Sequence, residues 1–207
     1  VTSVVNFLRR VPFTFVMLLL VVLAGVATMT HYDGLRPTLL RRFGFAPFHL
    51  SGGDFVRLLT SVFLTAGQWS FYGSLAMLAG CVGSAERRVG TWRAAAAFWG
   101  IHLATLLIQS VLLAIPLHHF DLWWGKLLAT EHDVGPSAGY YGCLGVLCQK
   151  QNPSRRLWLL SVIGGILLAR VIWSALSPAG RQGSLGPDIA HLIAFPLGVA
   201  LGKRIRG

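Results

Sequence analysis

Six long apolar segments divide this chain, at about residues 11–29, 61–85, 92–115, 135–149, 157–176 and 189–202. Helices and strands of a soluble domain are apolar on one face and charged on the other. These blocks are apolar all round, and 12% of the residues are charged, about half the share of a soluble domain. Hydrocarbon forces each spanning segment to satisfy its backbone internally, so the expected class is an all-α, multi-pass membrane protein. One domain, residues 1–207, accounts for the length.

The first block follows Arg9 and Arg10 and ends in small residues near Ala27, as a signal peptide would. Its run of about 19 residues exceeds the 7–15 of a signal core, so a retained helix is expected. The chain opens on Val1, which points to a start further upstream or to a codon other than ATG.

The net charge is +11, but the basic residues cluster at the ends of the apolar blocks, where they orient a membrane protein rather than bind nucleic acid. With the N-terminus inside, eleven of the 18 Lys and Arg lie on the inner side: Arg9, Arg10, Arg87, Arg88, Arg93, Lys150, Arg155, Arg156, Lys203, Arg204 and Arg206. Six of the seven acids, all but Glu86, fall on the outer side or its border. Six spans, N-in and C-in, are therefore expected. Trp92, Trp158 and Trp173 at segment ends fit interfacial belts. The connection 30–60 lies outside and is too apolar for a free loop; Arg41 and Arg42 give it a basic face. It is expected to lie partly in the outer interface as short amphipathic helices. Cys81, Cys143 and Cys148 lack the spacing of a disulfide framework or zinc site and read as packing residues.

The fourth block opens with Gly135-Pro136-Ser137-Ala138-Gly139, and the sixth carries His191. The second, fourth and sixth spans run in the same direction, so depth counts upward from the inner basic residues. Ser137 lies 13 residues before Lys150, His191 12 before Lys203, and Ser74 13 before Arg87. Each is about 18–20 Å above the inner edge at 1.5 Å per residue, or roughly 10 Å below the outer face of a 30 Å core. Small-residue ladders (Gly135, Gly139, Gly142, Gly145; Ala194, Gly198, Gly202) would let the two helices approach closely. A serine and a histidine at one depth are a nucleophile and its base; plain helix packing with a back-bonded serine is the alternative.

On these residues the chain resembles the rhomboid family of intramembrane serine proteases, over about residues 11–202. The family's G-x-S-G motif on its fourth helix is matched by Gly135-Pro136-Ser137-Ala138-Gly139, with the last glycine displaced by one. Its base histidine with spaced small residues is matched by His191, Ala194 and Gly198, and its aromatic one turn after the serine by Tyr141. The loop's Trp-Arg pair appears as Val56-Arg57, and the glutamate and glycine closing the second helix as Glu86 and Gly90. The resemblance implies a six-helix bundle with a partly embedded first outer loop, and a Ser137–His191 dyad cutting transmembrane helices near their outer ends. It implies no metal and no cofactor. The partners would be transmembrane-helix substrates and the lipid bilayer, in a bacterial cell membrane.

One departure bears on activity. The family's second helix usually carries a histidine and, four residues on, an asparagine that bind the oxyanion; Ser70 and Ser74 stand there. The Ser137 backbone N–H is a further oxyanion candidate. Loss of one such donor lowers rates by about 10²–10³. A non-catalytic family member that binds or escorts membrane helices is the alternative, and a small transporter or channel a weaker one. No acid is placed to orient His191; the resemblance implies Tyr141 as its support. Arg170 either snorkels outward past Trp173 or faces the cavity, where it would stabilise negative charge. His102, Thr105 and Gln109 form a stripe on the third span, below the serine layer, and are expected to bond between helices. His118, His119, Glu131, His132 and Asp133 lack metal-ligand spacing and read as a solvated loop. The polar run Arg181-Gln182-Gly183-Ser184 is expected to shape access for water.

Overall fold

The structure, a computed structural model, describes residues 10–176 and 184–205. Arg9, Arg181, Gln182, Gly183 and Arg206 lie outside the described residues. The described chain is mostly helical, with two isolated β-bridges, Gly34 to Gly67 and Phe45 to Asp133.

A helix coincides with each apolar block. We label them α1 (Pro12–Ala27), α2 (residues 69–89), α3 (Thr91–His119), α4 (Ser137–Gln149), α5 (Pro153–Leu176) and α6 (Leu185–Arg204). Of these, α3, α5 and α6 are long and apolar enough to cross a membrane. α1 is shorter, at 16 residues. Both α2 and α3 contain a π-helical turn, at Leu78–Val82 and Gln109–Ala114. Such single-turn insertions shift the faces that a helix presents on either side.

Two expected boundaries are corrected. The second helix starts at Trp69, not near residue 61. Residues 61–63 form a 3-10 turn, and Gly67 and Gln68 take positive φ (103° and 48°), which α-helix cannot accommodate. The fourth starts at Ser137, not Gly135: Gly135 has φ +127°, conformational space that glycine alone enters readily. α4 is therefore only 13 residues, about 20 Å.

The connection 30–60 does hold short helices, Pro37–Phe43, Phe48–Ser51 and Arg57–Thr60. Arg57 pins them: its guanidinium bonds Asp54 at 2.6 Å and donates to the carbonyls of Arg41 and Gly44. Near the end of α2, buried Glu86 accepts the Phe13 and Thr14 N–H groups (2.9 and 2.8 Å) and the Thr14 hydroxyl. A carboxylate there meets both the unsatisfied N–H groups and the positive pole of α1. Gly90, at φ +86°, makes the reversal into α3.

The centre of the bundle is α4, packed between α3 and α6. A Cβ added at Gly198 would lie 2.0 Å from the Gly142 carbonyl oxygen, and one at Gly145 2.3 Å from that of Phe195. The α4–α6 ladder is therefore real. Gly139 faces elsewhere than expected: its added Cβ would strike Phe98 of α3 at 2.3 Å.

Candidate active site

Ser137 is the first residue of α4, and Pro136 closes the loop before it. Proline suits this position because it brings a helix-compatible φ and no N–H. The Gly135 N–H is tied to the Ser61 carbonyl at 2.9 Å, anchoring the loop to the end of the first outer connection. First-turn N–H groups of a helix have no intrahelical acceptor, so Ser137 sits at a positive pole.

A cavity of about 350 Å³ lies against this helix start. Ser70, Gly73, Ser74 and Met77 of α2 line one side. Gly135, Ser137, Tyr140 and Tyr141 line another, with Arg170 of α5 and Pro187 and His191 of α6 opposite. Of the residues singled out in the sequence, Ser70, Ser74, Gly135, Ser137, Tyr141, Arg170 and His191 all face this one space. Gly139 does not, being consumed by packing on Phe98.

His191 is 7% exposed, and its ring lies on that of Tyr141, 4.4 Å between centroids at 35°. Neither ring nitrogen has a hydrogen-bond partner. Ser137 and His191 thus share the cavity without a hydrogen bond between them. The two candidate donors of α2 differ. Ser70 is exposed at the cavity wall, whereas Ser74 is buried and in hydrogen-bonding reach of the Tyr140 hydroxyl. Tyr140 was not singled out from the sequence; its position three residues after Ser137, on the same helical face, was the available signal.

A carboxylate also stands near the histidine, which corrects the expectation that no acid is placed there. Asp188 Oδ1 is 3.9 Å from His191 Nδ1, one turn earlier on α6. Arg170 turns inward to it, with Nε at 2.9 Å and a second guanidinium nitrogen at 2.6 Å from Oδ1. The guanidinium therefore reaches the cavity already paired.

Above the site, Asp133 joins the cavity wall and accepts the Val134 N–H at 2.8 Å. Burial pushes its carboxyl up to about 6. Glu131 accepts the Gly186 N–H at the start of α6, and burial pushes it up to about 7. His132 stacks edge-on against His49 instead of joining these acids. Among the described residues, no three His, Cys, Asp or Glu side chains gather as metal ligands would. His102 bonds the Leu58 carbonyl (3.1 Å), and Gln109 that of Gly186 (3.1 Å), tying α3 to the connection 30–60 and to α6. Neither lines the cavity.

No curated protein and no solved structure matches the chain significantly. The Rhomboid domain model matches residues 52–206, well over half of the chain and every helix that lines the cavity. With Arg57, Glu86 and the Gly142–Gly198 contact all inside that match, the chain belongs to the rhomboid family of membrane proteins.

Proposed function

We propose that this chain is an intramembrane serine protease with six spans, N-in and C-in, in which Ser137 is the nucleophile and His191 the base. The observation that carries the reading is the meeting, in one cavity, of Ser137 at the start of α4 and a His191 ring stacked on Tyr141 with both nitrogens uncommitted. Contraction of the cavity around a substrate would bring the hydroxyl and Nε2 within reach, as catalytic hydrogen bonds that are loose in the free enzyme tighten on binding.

The chemistry is acyl transfer in two steps. His191 takes the Ser137 proton as the oxygen attacks a substrate carbonyl. The imidazolium then protonates the leaving amine as the acyl-enzyme forms. Water, deprotonated by the same histidine, attacks the ester and releases the acid and free Ser137. The oxyanion meets the Ser137 N–H and the positive end of α4, with Ser70 available to donate and Ser74 partly engaged by Tyr140. Substrates are transmembrane helices cut near their outer ends. Their carbonyls must first leave the helical hydrogen-bond ladder, which favours helix-breaking residues at the cut.

A fluorophosphonate probe in proteoliposomes tests this. Labelling is expected in the unaltered protein and absent from both Ser137→Ala and His191→Ala. The second reading, a non-catalytic helix binder, draws on the missing Ser137–His191 hydrogen bond and on serines at the α2 positions. A folded protein that neither labels nor cleaves any presented helix would decide for it.

A further inference from the structure

Asp188 is 3% exposed, and a carboxylate so buried needs its lone pairs filled. Both oxygens are held from α5. Arg170 bonds Oδ1, and the Ser174 hydroxyl, itself 3.0 Å from that of Ser184, donates to Oδ2 at 2.5 Å. Arg170 and Ser174 are four residues apart and present one face. The carboxylate is thus held by a neighbouring helix, with Oδ1 on the side where His191 stands.

His191 Nδ1 is buried and unpartnered, 3.9 Å from that oxygen. The gap is about 1 Å longer than a hydrogen bond. We propose that Asp188 is the positioning residue of His191: Oδ1 accepts the Nδ1 proton, fixes that tautomer and leaves the Nε2 lone pair for Ser137. Arg170 and Ser174 have the supporting part, holding the carboxylate in place and aimed. A histidine held only by Tyr141 would have its ring plane set but not its tautomer. The inference rests on the Ser137–His191 reading for its use in catalysis, but the tautomer itself is observable without any turnover.

The experiment uses the full chain in detergent with 15N-labelled histidine. A His191→Gln spectrum assigns His191 among the seven histidines. The expected result is the Nδ1–H tautomer in the unaltered protein, weakened in Arg170→Gln and lost in Asp188→Ala. Fluorophosphonate labelling of Ser137 falls roughly 10²-fold or more in Asp188→Ala, and Asp188→Glu, whose longer arm spans the gap, restores part of it. An α5–α6 clamp with no bearing on the histidine would leave the tautomer unmoved. Finding Nε2–H in the unaltered protein overturns the inference even if Asp188→Ala does not fold, and so does an unchanged tautomer in a folded Asp188→Ala. Absence of labelling in the unaltered protein, with the tautomer shift intact, overturns the protease reading and leaves the Asp188 assignment supported.

Discussion

Helices α4 and α5 are neighbours in the chain and both are apolar, yet they live in opposite surroundings. Eight of the 13 residues of α4 are buried, whereas only Leu167 and Ser174 are buried among the 24 of α5. α4 is about 20 Å long and α5 about 36 Å, against a hydrocarbon core near 30 Å. A helix that meets lipid must be long and bulky, because lipid accepts no exposed backbone. A helix sheathed by other helices is free to be short and thin. The shortness of α4 leaves room for the cavity at its N-terminus, where Ser137 stands.

The sharpest way to break this contrast is to add the same methyl group to both helices' surroundings. Gly198→Ala drives a Cβ into the Gly142 carbonyl of α4, where backbone meets backbone. A loss of about 3 kcal/mol or more is expected. On α5, Gly164→Ala and Gly165→Ala meet nothing within 4 Å and should be neutral or stabilise by up to about 1 kcal/mol. Thermal unfolding in one detergent reads all three. Equal losses on the two helices would end the comparison.

A second test stays within α5. Leu167 is 2% exposed and Leu168 50%. Leu167→Ala should destabilise by about 2–5 kcal/mol, and Leu168→Ala by well under half as much. Similar values would mean that α5 has a protein partner on its outer face.

The polar segment before α4 gives the smallest effect. The Glu131 pKa is raised from 4.5 to about 7, chiefly by burial. Between those values the folded chain holds a proton that the unfolded chain releases, so stability falls as pH rises from about 4.5 to about 7 and is level above. Glu131→Gln should therefore raise the melting temperature at pH 7.5 and leave it nearly unchanged near pH 4.5. A greater gain at the acid end would contradict this sign.

Much of this arrangement could be read from the residues because hydrocarbon imposes simple rules. Apolar blocks located α1 to α6, and counting upward from Lys150, Lys203 and Arg87 grouped Ser137, His191 and Ser74, which line one cavity. What escaped had a local cause. Residues 61–68 are apolar enough to pass for helix, but the Gly67 bridge to Gly34 holds them in a turn. Gly135 matched the four-residue spacing of a packing ladder, while its φ places it in a loop. Asp188 was read as a border acid because hydropathy does not show that Arg170, 18 residues earlier, turns back to meet it.

The cap that Glu86 places on α1 also sets an order of events. Thr14 and its acceptor are 72 residues apart. At synthesis rates of about 5–20 residues per second, the carboxylate follows the hydroxyl out of the ribosome by roughly 4–14 s. For that interval the leading amides of α1 lack the carboxylate that later caps them. Its latch is therefore timed by the arrival of α2, so that α1, although made before α2, is secured only after it.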